Sequence, residues 1–82
     1  MKYDDAIQDI LFSEPELIKA YDVTVKTVKG TVEISVSHIE LFGFVGSTML
    51  NHIVDVLKRY NLYFYLKPDG KKIIFRIHGK KK

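Results

Sequence analysis

Hydrophobic residues recur along this chain with two different periods, and each period appears twice. The three- and four-residue spacing of an amphipathic helix occurs in residues 4–21 and again in residues 47–60. Alternation of apolar and polar residues, which is typical of half-buried strands, occurs in residues 23–36 and 62–78. The order helix, hairpin, helix, hairpin predicts an α+β fold of two αββ units, with a four-stranded antiparallel sheet and the helices packed on one face.

The first helical region contains a predicted break. Asp4 or Asp5 is expected to cap the first helix, because a carboxylate accepts hydrogen bonds from the free amides of the first turn. Ser13 is followed three residues later by Glu16, which is the spacing of a capping box, and Pro15 favours the first turn of a new helix. We therefore expect a kink or a break near Ser13.

The second helix is predicted to begin with Ser47 or Gly46 as its cap. It is predicted to end at Asn61, which readily adopts the left-handed conformation that stops a helix. Residues 38–46 are too apolar for an exposed loop, so they are expected either to extend a strand to Leu41 or to cover the sheet edge. The buried stripe of this helix is predicted to contain Leu50, Ile53, Val54, Leu57 and Tyr60.

The first hairpin is predicted to reverse at residues 29–30. This reversal places Val25 opposite Ile34 on the core side and Lys26 opposite Glu33 on the outer side. Pairs of this polar kind stabilise a solvated sheet by a few tenths of a kcal/mol. The outer face of the first hairpin is therefore expected to be an ordinary polar surface.

The second hairpin is predicted to reverse at residues 69–70, which places Tyr65 opposite Ile74. A three-residue loop over residues 68–70 would slip the pairing by one and mix cations with apolar side chains on one face. We favour the first register because it gives a wholly apolar inner face. That face contains Leu62, Phe64, Leu66, Ile73, Phe75 and Ile77.

Charge is distributed unevenly over the 82 residues, whose formal net charge is +3. Residues 1–57 contain nine acidic residues and four lysines, which gives −5. Residues 58–82 contain nine cationic residues and one aspartate, which gives +8. A basic end on an acidic body indicates an anionic partner at that end.

Aromatic and cationic residues are interleaved on the predicted outer face of the second hairpin. Aromatic rings stack on bases, and lysine and arginine neutralise phosphates. The sequence therefore predicts a small non-enzymatic module that binds single-stranded or double-stranded nucleic acid. The predicted contact residues are Tyr63, Tyr65, Lys67, Lys71, Lys72, Ile74, Arg76, His78, Lys80, Lys81 and Lys82.

The alternative is a protein–protein interaction or regulatory module, most simply a homodimer. Its interface would contain Tyr63, Tyr65 and Ile74, with Phe42 and Phe44 nearby in sequence, since aromatic residues are favoured at interface centres. An ordinary solvated face is a further interpretation of the same residues, because aromatic residues are common in strands.

The sequence contains no recognisable catalytic, cofactor or metal-binding motif. Cysteine is absent, which excludes disulfides, thiolate catalysis and the common cysteine-based zinc sites. No apolar run approaches the roughly 20 residues that span a bilayer, and the amino terminus lacks a signal-peptide pattern. We therefore expect a cytoplasmic protein without a cofactor or a membrane partner. It is expected to form one domain over residues 1–78, followed by a basic flexible tail over residues 79–82.

Overall fold

The computed structural model describes residues 3–38 and 44–81, which form three helices and one four-stranded antiparallel sheet. Residues 39–43, for which the sequence left two placements open, lie outside the described residues. The sheet order is β1-β2-β4-β3, and the predicted α+β fold is confirmed. The elements are α1 (Asp4–Ser13), α2 (Pro15–Ala20), β1 (Thr24–Val28), β2 (Thr31–Val36), α3 (Phe44–Arg59), β3 (Leu62–Asp69) and β4 (Lys72–Lys80).

The helices cover one face of the sheet. Phe75 of β4, Ile34 of β2 and Ile53 of α3 are each 0% exposed in the core between the two layers. Alternation along the central strands sends every second side chain to this core. The buried cluster consists of Ala6, Ile7, Ile10, Tyr21, Val23, Val32, Ile34, Val36, Met49, Ile53, Val56, Leu57, Leu62, Phe75 and Ile77.

The predicted break near Ser13 is confirmed, but the helix ends are capped differently. The first residue before α1 is Tyr3, in the left-handed conformation and without a side-chain cap, so Asp4 and Asp5 lie in the first turn instead. The Ser13 hydroxyl donates to the carbonyl of Asp9 within α1. The predicted capping box is therefore wrong, because Ser13 belongs to the end of α1 and not to the cap of α2.

The helix α3 begins earlier than predicted, at Phe44, and ends as predicted. Its backbone is helical through Gly46 and Ser47, so neither residue caps it. A glycine within a helix costs only about 1 kcal/mol, which a long apolar stripe readily offsets. At the other end Asn61 adopts a φ of 61°, and its N–H donates to the carbonyl of Lys58 at 3.0 Å.

Two polar contacts hold α3 and Tyr60, the residue that follows it, against α1. The Tyr60 hydroxyl donates to Oδ2 of Asp9 at 2.5 Å, and Nε2 of His52 lies 3.1 Å from the carbonyl oxygen of Ile10. This carbonyl is in the last turn of α1, where carbonyl groups have no partner further along the helix. His52 is half-buried, and its contact with this carbonyl holds the end of α1.

The first hairpin has the predicted register. Val25 pairs with Ile34, and Lys26 pairs with Glu33, across a loop of residues 29–30. Both loop residues have a positive φ, of 49° and 82°. Two-residue loops of this kind match the twist of the flanking strands, which fixes the pairing.

The second hairpin has the predicted faces but a different register. Its loop consists of Gly70 and Lys71, so Tyr65 pairs with Arg76 instead of Ile74. The pairing is shifted by two residues, and because strand side chains alternate with a period of two, every residue keeps its predicted face. Gly70 has a φ of 63° and supplies the positive φ that the first loop position requires.

Two features of the sequence explain this shift. The predicted register would put Pro68 next to the loop, where the backbone N–H is needed for a hydrogen bond that proline cannot donate. It would also place Lys67 opposite Lys72, and like charges in facing positions are destabilising. The observed register pairs Asp69 with Lys72 and removes both conflicts.

A β-bulge interrupts the pairing of β3 with β4. Phe64 pairs with Ile77, whereas Tyr63 pairs with Gly79. His78 is therefore the extra residue on β4, opposite no single residue of β3. A bulge of this kind increases the local twist and changes the direction in which nearby side chains project.

The chain end is held against the sheet as far as it is described. β4 continues through Lys80, and the backbone N–H of Lys81 donates to the carbonyl of Asn61 at 2.6 Å. Residues 79–81, which were expected to begin a flexible tail, are therefore tied to the start of β3. Lys82 lies outside the described residues.

The inner face of β3 is buried only at its beginning. Leu62 is 3% exposed and Phe64 is half-buried, whereas Leu66 is 46% exposed although it lies on the helix side. Leu66 therefore lies on the predicted apolar face but outside the buried core. β3 is the edge strand, and its far end extends beyond the cover that the described helices give it.

Truncation of Phe75 tests the placement of the core. Phe75→Ala is expected to lower the free energy of unfolding by about 3–5 kcal/mol, because the buried ring leaves a cavity. Phe12→Ala is the matched control, since Phe12 is 73% exposed, and it should change the free energy by less than about 0.5 kcal/mol. Urea denaturation measures both variants, and equal losses would contradict the described core.

The contact between Tyr60 and Asp9 predicts a pH dependence. The hydrogen bond to Asp9 raises the pKa of the Tyr60 phenol above its ordinary value of 10.0, with burial and the Asp9 charge as further causes. A pKa raised in the folded state contributes stability that is present below the ordinary value and is lost as the pH rises through the folded-state value.

Tyr60→Phe is therefore expected to flatten the loss of stability above a pH of about 10. Thermal denaturation of the wild type and the variant across alkaline pH measures this difference. Phe12→Leu, at an exposed position without an ionisable group, is the control and should leave the pH profile unchanged. An unaltered profile in Tyr60→Phe would show that the hydrogen bond does not contribute to stability.

Candidate functional site

The sheet face opposite the helices carries rows of side chains that run across all four strands. Strand pairing aligns one row in the order Lys26, Glu33, Arg76 and Tyr65. A second row beside it consists of Thr24, Ser35, Ile74 and Lys67. We call these two rows, together with Tyr63 and His78, the open face.

A buried carboxylate lies at the centre of the open face. Glu33 is 4% exposed, and Nε of Arg76 donates to its Oε2 at 2.7 Å, while Nη2 of Arg76 donates to the same oxygen. The sequence predicted an ordinary polar surface here, with Lys26 opposite Glu33. The register is right, but the surface is not ordinary, because β4 brings Arg76 to the other side of Glu33.

Arg76 also holds the ring of Tyr65. Its Nη1 donates to the Tyr65 hydroxyl oxygen at 3.1 Å, and its guanidinium carbon lies 5.9 Å from the ring centre. The hydrogen bonds to Glu33 hold the pKa of the Arg76 guanidinium above its ordinary value, against the opposing effect of burial. Arg76 therefore stays charged at every physiological pH while it bridges Glu33 and Tyr65.

Tyr65 is fixed from a second side by His78, the extra residue of the bulge. The two rings are stacked, with their centres 4.5 Å apart and an angle of 28° between their planes. Tyr65 is nevertheless 39% exposed, so part of the ring faces solvent. The bulge and the ion pair together leave this exposed ring in a defined position.

Tyr63 is the second exposed ring on the same face of β3. It is 54% exposed, and Nζ of Lys81 lies 5.4 Å from its ring centre. A cation at this distance from an aromatic ring is attracted to it. Each of the two exposed tyrosines of β3 therefore has a positively charged group close to its ring.

The remaining predicted cations lie at the two ends of the second hairpin. A strand of eight residues, such as β3, spans about 26 Å. The lysines make both ends of the hairpin basic, whereas the charge of Arg76 in the middle is compensated by Glu33. The exposed lysines are Lys67, Lys71 and Lys72 near the loop and Lys80 and Lys81 near the chain end.

One predicted contact residue is not accessible. Ile74 lies on the open face as expected, but it is only 7% exposed, because it lies on a central strand between Ser35 of β2 and Lys67 of β3. Four residues of the open face were not predicted as part of the site, namely Thr24, Lys26, Glu33 and Ser35. The adjacency of β2 and β4 would have indicated them, but the local pattern contains no signal for strand order.

No known protein family and no curated protein sequence matches this chain. Within residues 3–38 and 44–81 no group of three or more metal-ligating side chains is positioned to hold an ion. None of the helices in these two ranges is long and apolar enough to cross a membrane.

A double-mutant cycle tests the contact between Glu33 and Arg76. Arg76→Met is expected to destabilise the fold more than the combination of Arg76→Met with Glu33→Gln, because the single change leaves a buried carboxylate without its partner. Urea denaturation of the single and double variants measures the coupling. Lys26→Met, next to Glu33 on an exposed edge, is the control, and strictly additive losses for Glu33 and Arg76 would refute the pairing.

Proposed function

We propose that this chain binds single-stranded nucleic acid on the open face of its second hairpin. The observation that carries this proposal is the pair of exposed tyrosines on one face of β3, with cations 5.9 Å and 5.4 Å from their ring centres. In this interface bases stack on Tyr63 and Tyr65, and the lysines at the two ends of the hairpin neutralise phosphates.

The spacing of the two rings supports a single strand over a duplex. Tyr63 and Tyr65 are alternate residues of one strand, so their positions are about 7 Å apart. Successive bases of a duplex are only about 3.4 Å apart and are covered by their neighbours. A strand with separated bases can therefore place one base on each ring, whereas a duplex offers these rings no open base face.

The charge arrangement determines what kind of binding is expected. Because Glu33 compensates Arg76, the net attraction for phosphates comes from the lysines at the hairpin ends. Arg76 acts as a positioning residue that keeps the Tyr65 ring in place. Stacking and phosphate contacts carry little sequence information, so we expect a salt-dependent affinity with weak sequence preference.

Removal of one stacking ring is expected to weaken binding strongly. Tyr65→Ala should lower the affinity for a labelled oligothymidine of about 10 nucleotides by roughly 5- to 150-fold, since stacking contributes about 1–3 kcal/mol per base. Fluorescence anisotropy measures the affinity. Phe12→Ala is the matched control, because it removes an exposed ring from α1 and leaves the open face intact.

A salt series with the same probe tests the cations. Lys72→Gln should reduce the slope of log affinity against log salt concentration by about 0.7, the value for one lost phosphate contact on a single strand. Lys19→Gln removes the same charge from exposed α2 and should leave the slope unchanged. Absence of binding at low salt, or an affinity that does not change in Tyr65→Ala, would overturn the proposal.

A further inference from the structure

Exposed apolar surface is concentrated on the edge strand β3. Within the part of the chain that the structure describes, four large hydrophobic side chains are exposed, and Tyr63, Tyr65 and Leu66 all lie on this strand. The fourth, Phe12, lies on α1. A long edge strand with exposed apolar side chains is a ready template for pairing with another strand.

The backbone of β3 also has hydrogen-bonding groups that face away from β4. The pair that closes the two-residue loop, Asp69 with Lys72, is hydrogen-bonded, and the bonding alternates along the strand from there. The N–H and C=O groups of Phe64 and Leu66 therefore point to the free edge. Pro68 is in the same phase, so its missing N–H removes a donor only at the end of that edge.

We propose that β3 pairs with β3 of a second copy of this chain, antiparallel and centred on Tyr65, so that two sheets become one. This register places Phe64 opposite the partner's Leu66. It therefore covers Leu66, the apolar side chain that the helices leave exposed. On the open face it places Tyr63 opposite the partner's Lys67, which is a favourable pairing of ring and cation. A register centred on Lys67 would instead oppose two lysines.

The contact between two edge strands is small, below the roughly 1,200 Å² of a stable interface, so the dimer is weak and forms at high concentration. It also brings two basic hairpins side by side, and salt screens their repulsion. Self-association is therefore expected to strengthen with salt. Nucleic-acid binding weakens with salt, so the two proposals are tested by opposite responses and either can fail alone.

Sedimentation equilibrium from low to high micromolar concentration tests the dimer. Leu66→Lys is expected to raise the dimer dissociation constant by about tenfold or more, because it adds a charge at the edge and removes the apolar contact. Phe12→Lys makes the same change of an exposed apolar residue on α1 and should leave the constant unaltered. A strict monomer at high salt, or equal effects of the two variants, would overturn the proposal.

Disulfide cross-linking tests the register, and the absence of native cysteine makes it specific. Tyr65→Cys puts the two thiols on the symmetry axis, in a pair whose Cα atoms are about 4.5 Å apart, which a disulfide can bridge. Tyr63→Cys is the control, because it faces the partner's Lys67 in this register. Rapid cross-linking of Tyr65→Cys alone supports the proposal, and equal or absent cross-linking in both variants contradicts it.

Discussion

The pairing of β4 with both β2 and β3 is the contact on which the rest of the structure depends. Alternation along β4 sends Phe75 and Ile77 into the core beneath the helices and Arg76 to the opposite face. The same two ladders place Arg76 between Glu33 and Tyr65. The packing of the core therefore sets the position of the groups on the open face, because a one-residue slip would exchange the two sets.

The ion pair at the centre of the open face changes the electrostatic character that composition alone suggests. Residues 58–82 carry a formal charge of +8, but Arg76 is compensated by the buried Glu33. What remains is a nearly neutral, aromatic middle between two basic ends. A buried ion pair contributes little net stability, so its main effect here is to hold Arg76 beside the Tyr65 ring.

Local features of the sequence predicted most of the fold. The break near Ser13, the loop at residues 29–30, the end of α3 at Asn61 and the two faces of the second hairpin all follow from spacing and turn chemistry. The predicted register of the second hairpin was wrong by two residues, because a loop at residues 69–70 would need a backbone N–H from Pro68 that proline cannot donate.

The central contact of the open face was beyond prediction from local pattern. Glu33 and Arg76 are 43 residues apart in the sequence. Neither β2 nor β4 contains a local pattern that indicates which other strand lies on its second side. From the sequence, Glu33 was therefore expected to pair with Lys26, and Ile74 was expected to be an exposed contact residue. Both side chains are buried, because both lie on central strands. Strand order arises from packing of the whole chain and decides which predicted site residues meet.

Nuclear Overhauser effects between Cα protons test the central pairing directly. Leu66 and Phe75 face each other in a non-hydrogen-bonded pair, where the Cα atoms are about 4.5 Å apart and their protons are in close contact. The structure predicts a strong cross-peak between these two protons. A strong cross-peak between the Cα protons of Tyr65 and Ile74 instead would show the register with the loop at residues 69–70, and would contradict the contact between Arg76 and Tyr65 on which the open face depends.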